Sequence, residues 1–352
     1  MKITNVEMHV LRRDAGAPFR WRDGLPPHDG PIWDGWLQVS TDDGPDGWSP
    51  IAHYGRAAHA CLDQIRRLAL GADPLRKELL WHRAWEHDRV EQFPLYVFGA
   101  LDSACWDITA KVAGLPLFEV LGGYRSKVPA YASTATFASV QEYLDVADQC
   151  LEAGFGAIKL HAWGDWRRDA RLAQELRAHV GDGVELMFDA SGGFRYHEAL
   201  ALGRALEEAA YLWYEEPMIE FAIEPYRRLA ADLDIPILGA EVIDGAHYAA
   251  AEWLHTGACD LIRTGHHLYG GVTGAMRIAH IADGFGTTAE VHAGGILNLQ
   301  LCAAIPNCTY YESFVLENPA VFDPLVGPDG AATAPDGPGV GFEPRLMELG
   351  LM

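Results

Sequence analysis

Basic residues are scarce in this chain. Lys and Arg number 27 against 49 Asp and Glu, a formal net charge of −22 over 352 residues. That field repels phosphate backbones and anionic lipid, so nucleic-acid and membrane-surface partners are not expected. An anionic small molecule can bind only where a metal or local cations reverse the field. The six cysteines (Cys61, Cys105, Cys150, Cys259, Cys302, Cys308) lie far apart, with no C-x-x-C pair. They read as small buried hydrophobes in a reducing compartment rather than as a disulfide framework. No apolar run approaches the roughly 18 residues of a membrane span. The opening MKITNVEMHVLRRD carries charge where a signal peptide needs an apolar stretch, so a cytoplasmic protein is expected. No G-x-G-x-x-G follows the first strand pattern, which argues against a dinucleotide fold. Short repeats and low-complexity tracts are also absent. With 49% hydrophobic and 22% charged residues, disorder and collagen-like structure are excluded. The length suits two domains, or one large α/β barrel with additions.

What is present divides into two textures. Residues 1–50 hold two alternating runs, KITNVEMHVL and WDGWLQVSTDDG, the second closing in a DDGPDG turn, which predicts a small antiparallel meander. Between them RWRDGLPPHDGPIWDG has no periodicity of its own, the mark of a functional or mobile loop. Residues 56–72 and 76–92 carry helical spacing, and FGALDSACWDITAKVAG (98–114) reads as an amphipathic helix closed by Gly114. From about residue 128, eight short apolar or alternating runs recur: PAYAS, GAIKLHAW, VELMFDAS, AYLWYEEP, IPILGAEV, CDLIRTG, GTTAEVHAG and CTYYESF. Helical segments lie between the early ones. This alternation predicts right-handed crossovers, a parallel sheet and a closed (β/α)8-type barrel. The Gly/Pro-rich tail after 319 is expected to pack back on the N-terminal domain.

Period-2 alternation then assigns faces. In AIKLH, Ile158 and Leu160 face the outer helices, so Lys159 and His161 face the lumen. Asp189, Glu215, Glu241, His292 and Glu312 each read as the end of a strand, where catalytic groups of a parallel barrel collect. Asp189, Glu215 and Glu241 recur at intervals of 26 on three consecutive strands. Carboxylates crowded in this way must protonate or share a cation, and all-oxygen ligation suits Mg²⁺. Glu216, beside Glu215, faces the other way and reads as structural.

These residues resemble the enolase superfamily, and within it the mandelate racemase-like branch. The motifs are VSTDDGPDGW, ALDSACWDITAKVAGLPLFEVLGG, AIKLH, LMFDASGGF, WYEEP, LGAE, GGVTGAMRIA and EVHAGG. The resemblance implies an α+β capping domain over residues 1–125, with a loop near 14–35 that closes on the substrate. It implies a modified (β/α)8 barrel over 126–318 and a C-terminal segment over 319–352. It further implies that Asp189, Glu215 and Glu241 hold Mg²⁺, that the metal holds a substrate carboxylate, and that a base removes the α-proton. Relatives commonly assemble as symmetric homo-oligomers, often octamers.

Four positions depart from the family pattern. Lys159-x-His161 stands where Lys-x-Lys is usual. His292 matches the family histidine, but its Asp partner falls on Gly265, leaving His266 or His267 to supply any contact. Asp189-x-Ser191 replaces Asp-x-Asn. Arg263, where a neutral residue is common, is expected to bind a second anionic group. Lys159, His161 and His292 are thus the expected catalytic residues, and Glu312, Arg263, Ser191 and His266 the expected substrate contacts. Arg20, Trp21, Arg22, His53 and Tyr54 offer the cap a polar and aromatic lining for a polyhydroxylated chain. The activity expected first is Mg²⁺-dependent dehydration of an acid sugar to a 2-keto-3-deoxy acid. Racemisation or epimerisation follows, then lactone cycloisomerisation. The rivals of another kind are a metal-binding barrel without α-proton chemistry and a hydrolase.

Overall fold

The computed structural model describes residues 1–341, apart from 15, 53 and 162. Its N-terminal part is an antiparallel meander of β1 (Ile3–Arg13), β2 (Ile32–Thr41) and β3 (Gly47–Ala52). Four buried side chains of β1 and β2 face each other in register, Val6 with Val39 and Met8 with Leu37. One face of the sheet is therefore apolar and must be covered. It packs on a helical layer of α1 (Gly55–Ala60), α2 (Leu62–Ala69), α3 (Lys77–Glu91), α4 (Leu95–Ala113) and α5 (Leu117–Val120). The closest approach is at Gly47, where a Cβ would stand 2.2 Å from the Ala104 carbonyl of α4.

The barrel strands are β4 (Lys127–Thr134), β5 (Ala157–His161), β6 (Glu185–Asp189), β7 (Trp213–Glu215), β8 (Ile237–Gly239), β9 (Leu261–Thr264), β10 (Ala289–Val291) and β11 (Tyr311–Val315). They are the eight runs found in the sequence. All are parallel, in the order β10-β9-β8-β7-β6-β5-β4-β11. The ring stops short of full closure between β10 and β11, where the Ala289 amide donates to the Asn307 carbonyl at 2.9 Å. Helices α6 (Val140–Glu152), α7 (Trp166–Val180), α8 (Tyr196–Glu208), α9 (Ile223–Asp232), α10 (Ala246–Thr256), α11 (Gly271–Gly284) and α12 (Ile296–Ala304) connect successive strands. Two carry side-chain caps: Ser139 accepts from the Glu142 amide at the start of α6, and Asp165 from those of Arg167 and Arg168 at α7.

Ile158, Leu160, Leu186, Phe188, Tyr214, Ile237 and Ile262 face the helices. Tyr131, Ala157, Met187, Trp213 and Leu238 fill the lower lumen as a separate apolar plug. A one-residue slip of β5 would move Ile158 and Leu160 into the charged upper lumen and leave the Lys159 ammonium unpaired among apolar helix faces. Each large apolar side chain is worth about 1.5–3 kcal/mol when buried, and the stranded charge costs more, so the register is strongly specified. A last strand, β12 (Ala331–Thr333), lies antiparallel on β4. Beyond it Gly339 exchanges backbone hydrogen bonds with Leu115 and Leu117, and the Val340 amide donates to Asp107 of α4. Residues 342–352 of the expected tail lie outside the described residues, as does His53 of the expected cap lining. The six cysteines are free and five are buried. Among the described residues, no helix is long and apolar enough to cross a membrane.

Candidate active site

Asp189 and Glu215 end β6 and β7, and Glu241 follows β8 by two residues in a turn that begins at Ala240 (φ +70°). Their ligand oxygens lie within 4.8 Å of one another. Each carboxylate is oriented from behind. Asp189 Oδ1 accepts from the Ser191 amide at 2.7 Å. Glu215 Oε1 accepts from Arg263 Nε at 2.5 Å, and Oε2 pairs with Lys159 Nζ at 2.8 Å. The Glu241 amide donates to Glu216 Oε1, and Tyr269 Oη lies 2.5 Å from the Glu241 carbonyl. Glu216 thus acts on the backbone of a putting-forward turn rather than facing the lumen.

Lys159 and Arg263 are the two buried cations of this layer, facing four carboxylates once Glu312 is included. Two negative charges remain, which one divalent cation would neutralise. The protonation balance reports the same imbalance. Burial first, then the Asp189 and Glu215 charges, hold Glu241 well above the usual carboxylate range, so it keeps a proton unless a cation shares the site. Burial would raise Asp189 as well, but His161 and Lys159 outweigh it and hold it below that range. Burial acts likewise on Glu312, where Lys159 and Arg263 prevail. An all-oxygen, net-anionic donor set of this size fits Mg²⁺.

Lys159 Nζ lies 2.8 Å from both Glu215 Oε2 and Glu312 Oε1. Burial disfavours its ammonium form, yet those two charges more than compensate and hold its pKa well above the ordinary lysine value. His161 is held differently. Its Nδ1 lies 2.8 Å from the Thr134 carbonyl and its Nε2 3.0 Å from Asp189 Oδ2. The carbonyl can only accept, so Nδ1 carries a proton and donates to it, which fixes the ring with Nε2 turned toward the Asp189 carboxylate. On the other side of the trio, His292 places Nε2 3.2 Å from Glu241 Oε1 and Nδ1 3.3 Å from His267 Nε2. Burial pushes its pKa down to about 4.

The loop between β1 and β2 reaches the barrel mouth. The Arg20 carbonyl accepts from the Thr136 amide at 2.9 Å, and Arg22 Nε donates to the Ser191 carbonyl at 3.0 Å. Trp21 lies over the ring of His161 at 4.6 Å and beside Phe314 at 5.2 Å between centroids. Tyr54 approaches from the cap; burial and then the Glu241 charge raise its phenol.

Three placements differ from expectation. Arg263, expected to meet an anionic substrate group, is fully buried. Its donors are taken by Glu215, Tyr131 Oη at 3.0 Å and the Val291 carbonyl at 3.4 Å, below the trio. Alternation put its side chain in the lumen correctly but carries no information on depth. His266, also expected at the substrate, is 8% exposed, its amide donating to Asn298 Oδ1 and its ring pushed down to a pKa of about 3 by burial. Glu312 is the second residue of β11 rather than its end, and pairs in register with Tyr131. It therefore lies deeper than the trio, where its Oε2 accepts from the Ala293 amide at 2.7 Å. Ser191, at φ +47°, turns its amide and hydroxyl back on Asp189. Asn298 was not singled out in the sequence. Its Nδ2 donates to the His292 and Ala293 carbonyls at 2.8 and 3.0 Å, and no local motif marks it.

The C-terminal part, residues 142–349, matches the model of the enolase C-terminal domain-like family. Residues 36–122 match the mandelate racemase / muconate lactonizing enzyme N-terminal domain. The chain belongs to the enolase superfamily, in its mandelate racemase/muconate lactonizing enzyme family. Within that superfamily, a crystal structure of D-glucarate dehydratase from Agrobacterium tumefaciens, complexed with magnesium, superposes with a TM-score of 0.90. It is 32% identical over 99% of this chain and 98% of the other. D-galactarolactone cycloisomerase from Agrobacterium fabrum is 28% identical over 97% of this chain and 96% of its own. L-talarate/galactarate dehydratase from Salmonella typhimurium is 30% identical over 82% and 74%.

Proposed function

We propose that the protein is a Mg²⁺-dependent acid-sugar dehydratase. The observation that carries this reading is the asymmetry of the groups around the carboxylate trio. His161 presents a ring nitrogen on one side, His292 presents another on the opposite side, and Lys159 is tied as an ammonium between Glu215 and Glu312. Asp189, Glu215 and Glu241 would hold the metal, with Ser191, Glu216 and Arg263 fixing their orientation. When bound, Mg²⁺ supplies positive charge at the substrate carboxylate, where the charge of α-deprotonation accumulates.

His161 Nε2 takes the α-proton, because its Nδ1 is committed to the Thr134 carbonyl. His292 Nε2 gives a proton to the departing β-hydroxyl, which leaves as water. The resulting enol becomes the 2-keto-3-deoxy acid. Lys159 stays charged and offsets the negative charge that develops beside it. Trp21 covers His161 and excludes water from the proton transfer.

A second reading has its own support in the likeness to D-galactarolactone cycloisomerase across nearly the whole of both chains. The same α-deprotonation there would expel a lactone oxygen instead of a hydroxyl. Proton NMR in D₂O, with Mg²⁺ and a panel of aldonic acids, aldaric acids, their lactones and α-hydroxy acids, separates the readings. A 2-keto-3-deoxy product supports the dehydratase. Isomerisation confined to a lactone replaces it with the cycloisomerase. Exchange of the α-proton without a keto product points to a racemase or epimerase. Absence of both turnover and Mg²⁺ binding leaves a barrel without this chemistry.

A further inference from the structure

Helix α11 starts Gly271-Val272-Thr273-Gly274 behind Gly270, so it has no side chain of its own to cap its first turn. The cap comes from the N-terminal domain. Asp102 of α4 is 1% exposed, and its carboxylate accepts from the Thr273 amide at 2.9 Å and the Thr273 hydroxyl at 2.6 Å. An orphan amide of the helix start is satisfied in this way, and the carboxylate meets the positive end of the helix dipole. The two helices touch at their backbones there. A Cβ on Gly99 would stand 2.7 Å from the Gly271 nitrogen, and one on Gly271 (φ +82°) would stand 2.5 Å from Asp102 Oδ2. Trp106 Nε1 of α4 donates to the Thr273 hydroxyl at 2.8 Å, and Trp81 Nε1 of α3 to the Gly270 carbonyl at 2.9 Å.

What these contacts hold is the turn between β9 and α11, closed by the Gly271 amide on the His266 carbonyl at 2.9 Å. The turn carries Tyr269, 1% exposed, whose hydroxyl lies 2.7 Å from the Ala240 carbonyl and 2.5 Å from that of Glu241. Unlike Asp189 and Glu215, Glu241 stands beyond the end of its strand. Side chains hold its backbone instead, Glu216 at the amide and Tyr269 at the carbonyl. We propose that Asp102 is a positioning residue for Glu241: by capping α11 from the N-terminal domain it holds Tyr269 against the Glu241 turn, so that the docking of the two domains and the binding of Mg²⁺ are energetically coupled. The coupling to Mg²⁺ rests on Asp189, Glu215 and Glu241 being the metal ligands; the path from Asp102 to the turn does not. Such coupling is reciprocal, so the ion in turn tightens the start of α11.

The test follows Asp102→Ala and Tyr269→Phe, singly and together, in the full chain. Amide hydrogen exchange of the metal-free protein reads the path directly. Asp102→Ala should speed exchange at the start of α11 and also at residues 240–243, where Tyr269→Phe has the same effect. Calorimetry then reads the ion. Each single variant should weaken Mg²⁺ binding about 5–20-fold, and the double variant little more than either alone, because both cut one path. Asp102→Asn, whose side-chain oxygen still accepts from the Thr273 amide, should recover most of the loss. Trp106→Phe gives up one hydrogen bond at the same interface but keeps the cap, so it should lower the melting temperature and leave Mg²⁺ affinity unchanged. Faster exchange confined to α11, or an Mg²⁺ affinity no lower in Asp102→Ala than in Trp106→Phe, makes Asp102 a structural cap and overturns the proposal. Should Asp102→Ala fail to fold, the wild type decides: added Mg²⁺ should slow exchange at residues 266–273, and no change there overturns the coupling. If the wild type binds no Mg²⁺, the metal reading fails, and exchange at 240–243 in the metal-free variants still decides the positioning role. Tight Mg²⁺ binding with exchange confined to α11 gives the reverse.

Discussion

His161 and His292 flank the same three carboxylates, yet they are held by different kinds of partner. The first has its inner nitrogen on a backbone carbonyl, which every sequence provides, and its ring lies under Trp21. The second has its inner nitrogen on another side chain, His267, at the end of a loop clamped by both domains. A carbonyl partner leaves one hydrogen-bond direction open, whereas a ring partner allows two. The two rings also differ in exposure, 6% for the His161 side chain and 19% for that of His292, so substitutions at the two positions are expected to have different effects.

The largest effects should come from removing what both sides share. Glu241→Gln is expected to abolish turnover and weaken Mg²⁺ binding in calorimetry. Glu215→Gln should do the same and also destabilise the fold, by roughly 3–5 kcal/mol, because it leaves Arg263 and Lys159 buried with too little negative charge. Equal unfolding midpoints for the two variants would remove Glu215 from the buried ion network. The next effects separate the sides. His161→Asn should suppress α-proton exchange by about 10²–10⁴-fold, while His292→Asn suppresses product by a similar factor and retains exchange in D₂O. If both variants lose exchange alike, the division of labour is wrong. Trp21→Ala strips the cover from His161 only. Loss of two aromatic contacts, each worth about 0.5–1.5 kcal/mol, should raise KM by roughly 5-fold to about 100-fold.

The smallest effect concerns His266. Its pKa falls from an unfolded value near 6.5 to about 3 in the fold, so the neutral ring is favoured. Its contribution is fully present above pH 6.5 and is lost as pH drops toward 3. His266→Gln should flatten the acid side of a plot of melting temperature against pH. An unchanged slope would show that the ring does not resist protonation.

Much of this arrangement was legible in the sequence, for identifiable reasons. Strand alternation is a local property, so AIKLH assigned Lys159 and His161 to the lumen, and the matched spacing of Asp189, Glu215 and Glu241 survived folding. Depth along the barrel axis is not local. It depends on how neighbouring strands stagger, which is why Arg263 and Glu312 looked like mouth residues and turned out to lie beneath it. The aromatic-rich loop at 14–35 was legible as a connection without periodicity, but the contacts of Trp21 with His161 and of Arg22 with Ser191 span more than a hundred residues. Asn298 and Tyr269 escaped notice because a side chain that braces a distant backbone leaves no periodic trace. Gly265 left the inner contact of His292 open between His266 and His267, and the path of the loop that follows brings His267 to it.

The loop between β1 and β2 is fastened in a way that has an evolutionary consequence. Its first tie is main chain to main chain, from the Thr136 amide to the Arg20 carbonyl, and the loop braces itself through backbone bonds between Phe19 and His28. Such ties are indifferent to side-chain identity. The residues displayed over the carboxylate trio can therefore be exchanged without undoing the loop's attachment, so a lineage built on this scaffold can vary what it presents there while keeping the loop in place.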